Sequence, residues 1–211
     1  VDHCGAKARD RLPKHGPVSL DSDSRSDWAR VLLSLEARRP AIVKRLKYEG
    51  AAFLREQLDG DQEIQGTVSN EGYDQPASLV AAAEMGVNFE DRALMVIQGL
   101  VDDPRVGRHL INARWHVRRL PYHCHSRFII SDRPLIRLHA YDSPGAVWLI
   151  PISPRSIFLA AAHENNLIRL LDLDHKNFCE RCNISSARQA DMFVFSVSQH
   201  ETGWLEEHLP R

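Results

Sequence analysis

The chain has 211 residues, 43% hydrophobic and 26% charged, the make-up of an ordinary globular protein long enough to bury a core. Its formal net charge of -1 gives no global electrostatic case for nucleic acid or an anionic membrane, and no apolar run approaches the ~18 residues of a membrane span. The first residues lack the apolar stretch of a signal peptide, and the four cysteines come without any sign of secretion. A cytoplasmic, soluble protein with reduced thiols is therefore expected.

Arginine supplies 22 of the 27 basic residues, which reads as GC-rich bacterial codon use, with paired grips on phosphate or carboxylate as the sharper alternative. Because it begins at Val1 rather than Met, the chain is expected to be trimmed, processed or a fragment. Residues 1–20 are polar and broken by Pro13, Gly16 and Pro17, and predict a loose arm. Residues 21–211 read as a single compact α+β domain, with a helical lobe over 21–112 and a sheet-containing lobe over 113–211.

Within the helical lobe, Trp28, Val31, Leu32 and Leu35 recur at i, i+3, i+4 and i+7 behind a cluster of cap-forming residues, one face of a helix. Pro40 opens the next helix and Gly60 closes it. The segment 59–75 reads as a loop from its Gly, Asp, Asn and Ser content. Helices follow from Pro76, from Asn88 and from Pro104. The character then changes. "RWHVRRLPY", "RFIISD", "VWLIPI" and "SIFLAAA" are short β-rich runs, "HAYDSPGA" is a turn, and close spacing without intervening helices predicts antiparallel pairing. A helix over 174–190, a strand "MFVFSVS" and a short terminal helix complete the chain.

The stretch Phe128–Pro134, "FIISDRP", runs as a buried strand into an acid, a base and a strand-breaking proline. An aspartate at a strand exit can orient a His or Arg, bind a divalent metal or act as a general base. It can equally accept backbone N–H bonds and hold a turn beside Pro134. Asp132 is thus the first candidate catalytic residue, with His116 or His139 and an arginine beside it, while Ser131 and Arg133 are binding candidates.

His123 and His125 would point to one side of a strand and could add to a metal site with Asp132, although "YHCHS" also suits a hairpin tip. His175, Cys179 and Cys182 share one helix face and could offer three zinc ligands, with Cys4, Cys124 or a distant His as a fourth; buried thiols explain the spacing equally well. Arg114, Arg118, Arg119 and Arg127 could meet phosphates, but carboxylates within a near-neutral protein are the expected outlet. Neither a phosphate-binding Gly-rich loop nor a "GxSxG" elbow occurs, which counts against common nucleotidases and α/β-hydrolases.

The order Arg38-Arg39-Pro40 after an amphipathic helix, a strand bearing Trp115, "FIISDRP", Pro151-Ile152-Ser153-Pro154 and Asn183 before "ARQADMFVFS" resembles the bacterial domain-of-unknown-function 4238 family. The resemblance spans roughly residues 20 to 200. Family members usually open with an "HYVP"-type segment and an apolar strand, and this chain has neither. The resemblance implies a fold and marks Arg38, Ser153 and Asn183 as polar groups that gather on Asp132; it names no reaction. The leading expectation is a binding or interaction module for a small molecule or protein, built around the SD-x-P motif. Its rival is a metal-dependent hydrolase or nuclease-like enzyme using Asp132.

Overall fold

The structure, a computed structural model, describes residues 2–17, 20–197 and 202–209. The protein is α+β, with helices first and a four-stranded antiparallel sheet after them. Two compact units divide it: residues 1–36 with 103–211, and residues 37–102. Where the sequence reads one helical lobe over 21–112, the helices are therefore shared between two units.

In the larger unit, β1 (Arg114–Arg119), β5 (Ser156–Ala161), β4 (Val147–Ser153) and β3 (Ile136–Leu138) lie side by side in that order, all antiparallel. Both faces of the sheet are covered, so its inner strands carry apolar residues at successive positions instead of alternating with polar ones. Trp148, Ile150, Phe158 and Ala160 enter one core with Trp28 and Leu32 of α2 (Ser22–Ala37), Leu110 of α8 (Pro104–Asn112) and Leu12 of α1 (Asp2–His15). Their neighbours Val147, Leu149, Ile157 and Leu159 enter a second core with Phe178, Cys179 and Cys182 of α10 (His175–Gln189). Phe158 is gripped edge-on by Trp28 and Trp115, at centroid separations of 5.7 and 5.1 Å.

Residues 2–15 form a helix, not the expected arm. Ala8 and Leu12, one turn apart, are both buried in the first core, and that burial outweighs the polar composition around them. Two other elements also differ from expectation. Part of the loop expected over 59–75 is helix α5 (Gln62–Asn70), whose first amides at Glu63 and Ile64 are capped by the Asp61 carboxylate. A further helix, α9 (Glu164–Leu171), precedes α10.

The buried guanidinium of Arg118 in β1 donates to the carbonyls of Leu170 (2.6 Å) and Leu173, and stacks over Phe178 at 4.3 Å. Carbonyls at the end of α9 thus receive a cation where the helix dipole favours one. Likewise Arg25 donates to Ile111 O at 2.7 Å while lying 3.9 Å from the Trp115 ring, joining α2 to the end of α8.

The smaller unit contains α3 (Pro40–Arg45), one π turn over Leu46–Gly50, α4 (Ala51–Gly60), α5, α6 (Ala77–Glu84) and α7 (Phe89–Val101). Gly50 lets α7 come close: a Cβ there would stand 3.0 Å from Ala93 Cβ. Among the described residues no helix is long and apolar enough to cross a membrane.

If α1 is part of the core, Leu12→Ala should cost about 2–5 kcal/mol. Urea denaturation would read this as a lowered midpoint at unchanged slope; a change within ~0.5 kcal/mol would return α1 to the status of an appendage.

Candidate functional site

The site is built from α10 upward. Asp174 caps its start by accepting the Asn177 amide at 2.9 Å, and Phe178, Cys179 and Cys182 bury one face in the second core. Beside that face run Asn183, Ser186 and Gln189, spaced three residues apart and so stacked along one line of the helix.

This polar line binds the segment 127–135 in the way an adjacent strand would. Asn183 Oδ1 accepts the Ile129 amide at 3.1 Å, and its Nδ2 donates to Arg127 O at 2.8 Å. Ser186 Oγ donates to Ser131 Oγ at 3.5 Å. Gln189 Nε2 donates to the carbonyls of Arg133 and, at 3.3 Å, Leu135. Every contacted residue is odd-numbered, the period-two pattern of an extended chain presenting one edge.

The other edge of that segment meets the chain beyond α10. Strand β2 (Ile130–Ser131) pairs with β6 (Val194–Phe195), placing Ile130 opposite Phe195 and Ser131 opposite Val194. Asp132 extends this contact with its side chain. Oδ1 accepts the Asp191 amide at 2.9 Å, while Oδ2 accepts those of Met192 at 2.7 Å and Phe193 at 3.2 Å. The Asp132 amide in turn donates to Phe193 O at 3.0 Å. Ser131 Oγ donates to Arg133 O at 2.9 Å, and Arg133 lies 3.6 Å from the Asp191 carboxylate. Pro134 has no N–H to offer, so the ladder ends there. The acid at the end of a buried strand is explained: it gathers consecutive amides that no strand is there to accept.

Ser131, Asp132, Arg133 and Asn183 are thus brought together, while His116, His139 and Ser153 make no hydrogen bond to this group among the described residues. His116 lies in β1 and His139 follows β3, the opposite edges of the sheet, which puts them roughly 14 Å apart across three strand spacings. The two cannot both flank Asp132, whose side-chain hydrogen bonds go to the amides of residues 191–193 and to neither histidine. His116 lines a separate cleft of about 580 Å³ with Arg118, Arg119, Asp174 and His175. His139 is exposed, adopts φ 66, and sets its ring against Gly145, where a Cβ would stand 3.1 Å from it. Ser153 turns the β4–β5 hairpin by accepting the Arg155 amide at 3.2 Å. That hairpin also reaches the segment's start, because the Phe128 amide donates to Pro154 O at 2.9 Å. Arg38 is exposed in the smaller unit.

His123 and His125 are exposed on a loop that Arg155 fastens through the carbonyls of Pro121 and Cys124. Cys179 and Cys182 are buried in the second core while His175 is exposed. The side chain of Cys4 lies outside the described residues, and among those described no group of three or more His, Cys, Asp or Glu is arranged to hold a metal ion. Ser186 and Gln189 were not candidates from sequence. Their spacing behind Asn183 was the available signal, and it points to a polar line on an otherwise apolar helix.

The fold and site define an α+β protein whose polar motif is a backbone clamp. No family model, no curated protein and no solved structure matches the chain.

Losing the Asp132 carboxylate leaves three amides without their acceptor, so Asp132→Ala should lower stability by about 2–4 kcal/mol, and Asn183→Ala by about 1–3 kcal/mol, in chemical denaturation. Values near zero for both would remove the clamp. A pH effect is expected elsewhere. Burial first, and the Arg118 charge second, hold the His116 imidazolium below its ordinary range. The unfolded chain then takes the proton more readily, so this contribution is complete above about pH 6.5 and is lost as the pH falls through that value towards the lower folded-state pKa. His116→Gln should flatten that part of the stability profile, read from urea midpoints on either side of pH 6.5.

Proposed function

We propose that the protein is an interaction module, in which the SD-x-P clamp displays an apolar ridge to an extended segment of a partner protein. One observation carries this reading. Met192, Phe193, Phe195 and Val197 are 75, 55, 59 and 65% exposed in consecutive order, on backbone fixed by Asp132. The rings of Phe193 and Phe195 lie side by side at 6.4 Å.

Area decides what kind of partner suits the ridge. Four such side chains offer roughly 450 Å², about half of the ~800 Å² per partner in a stable complex between folded surfaces. That favours a short extended peptide over an obligate dimer. Among the described residues strand β6 pairs with β2 alone, which offers its other edge for strand addition. Main-chain bonds along that edge would add to the apolar contacts.

A hydrolytic role for Asp132 receives less support, since both carboxylate oxygens already accept backbone amides. The described cysteines Cys124, Cys179 and Cys182 are in no disulfide, which suits a reducing cytoplasm. Kinship with the domain-of-unknown-function 4238 family belongs to the same proposal: Phe128–Pro134 and Asn183, which carry much of the resemblance, are residues that the clamp joins.

The test is a fluorescence-anisotropy screen of short peptides with alternating apolar residues. Peptides that bind should lose at least about tenfold in affinity to the Phe193→Asp/Phe195→Asp variant, whose melting temperature stays near that of the parent because both rings are exposed. Equal binding to parent and variant, or none to either, would overturn the reading.

A further inference from the structure

The second core does not close completely. Helix α9 packs over β1 and β5, whereas α10 packs over β3 and β2. Side chains of both helices reach towards β4, where Val147 and Leu149 share the core with Phe178, Cys179 and Cys182. A cavity of about 330 Å³ opens there. Its floor is Leu149 of β4 with Ile136 and Leu138 of β3. Leu170 and Leu173 wall it on the α9 side, and Phe178 and Cys182 on the α10 side.

Among the described lining residues the polar ones are Arg181 and Ser185, which stand one turn apart on α10 at the rim. Ser185 Oγ is turned back on its own helix, donating to Arg181 O at 2.9 Å. The Arg181 side chain is on an exposed residue and makes no hydrogen bond or ion pair with another described residue. No carboxylate is among the described residues that line the cavity. Burial, and to a lesser degree Cys179, push the Cys182 thiol up to about 12 against the opposing Arg118 charge. It therefore stays neutral and serves as apolar wall.

An apolar cavity with one cation at its mouth specifies a ligand with an aliphatic body and one terminal negative charge. We infer that this cavity between α9 and α10 is a binding site for a medium-chain aliphatic carboxylate, its chain against Leu138, Leu149 and Leu173 and its carboxylate on the Arg181 guanidinium. The volume lies at the small end of ligand pockets, which excludes a full two-chain lipid. An Arg fork receives a carboxylate through paired N–H donors, which fixes the ligand's direction. This site is separate from the β6 ridge and does not depend on it.

Isothermal titration of the whole chain with hexanoate, octanoate and decanoate tests the inference. Affinity should rise about fourfold per added methylene until the chain outgrows the cavity. Arg181→Gln should weaken decanoate about fivefold, as expected for a rim charge, while leaving decanol unchanged. Ser185→Trp should block both ligands. Both substitutions fall at positions outside the fully buried core, so melting temperatures near the parent's will show that the fold is kept. Absence of saturable decanoate binding, or binding that Ser185→Trp leaves intact, would overturn the inference. So would equal loss of decanoate and decanol in Arg181→Gln, or association with phosphatidylcholine vesicles without any titration by the free acid. Loss of peptide binding at β6 would leave these results untouched, so the two proposals fail separately.

Discussion

A helix does the work of a strand for the segment 127–135. Asn183 and Gln189 satisfy backbone groups on the edge turned towards α10, with Ser186 on the Ser131 hydroxyl between them, while the chain at 193–195 pairs with the other edge and receives the Asp132 carboxylate on its preceding amides. Because a buried backbone group without a partner costs about 1–3 kcal/mol, this two-sided arrangement decides whether the segment can lie inside the protein at all. The segment is tied to the β4–β5 hairpin through the Phe128–Pro154 hydrogen bond, and residues 191–193 are held to it by the Asp132 carboxylate.

The same economy of partners recurs at Arg118. A buried guanidinium commonly finds a carboxylate, but here its hydrogen bonds go to carbonyls at the end of α9, with an aromatic face beneath it. The cation lies where the helix dipole places partial negative charge, and it links β1 to the covering layer without introducing a second ion. Sheet, helices and clamp are therefore joined by side chain-to-backbone bonds between residues far apart in the chain. The Arg133–Asp191 ion pair, by comparison, leaves about a third of each side chain open to solvent.

Much of this fold is legible in the sequence, and what is not has identifiable causes. Helix α10 is announced by Asp174 and by apolar spacing, and β4 and β5 by uninterrupted apolar runs. Helix α1 is hidden because the weight of Ala8 and Leu12, its buried residues among those described, comes from a core formed with residues far along the chain. Helix α5 is hidden because its composition is that of a loop and one carboxylate, Asp61, starts it. The SD-x-P motif shows that a polar device exists but not what it holds, since its main partners are the amides of 191–193 and an amide leaves no mark on residue identity. Alternation along β1 and near β3 likewise gives no clue that His116 and His139 fall at opposite sheet edges, because strand order is set by long-range pairing.

The central claim is that the Asp132 carboxylate holds the chain at residues 191–193, and amide hydrogen exchange on the Asp132→Ala variant reads that contact directly. The account predicts that Asp191, Met192 and Phe193 lose protection relative to the parent by more than the amides of β4 and β5 do. If those three amides exchange as slowly in the variant as in the parent, the clamp is not what holds this part of the chain.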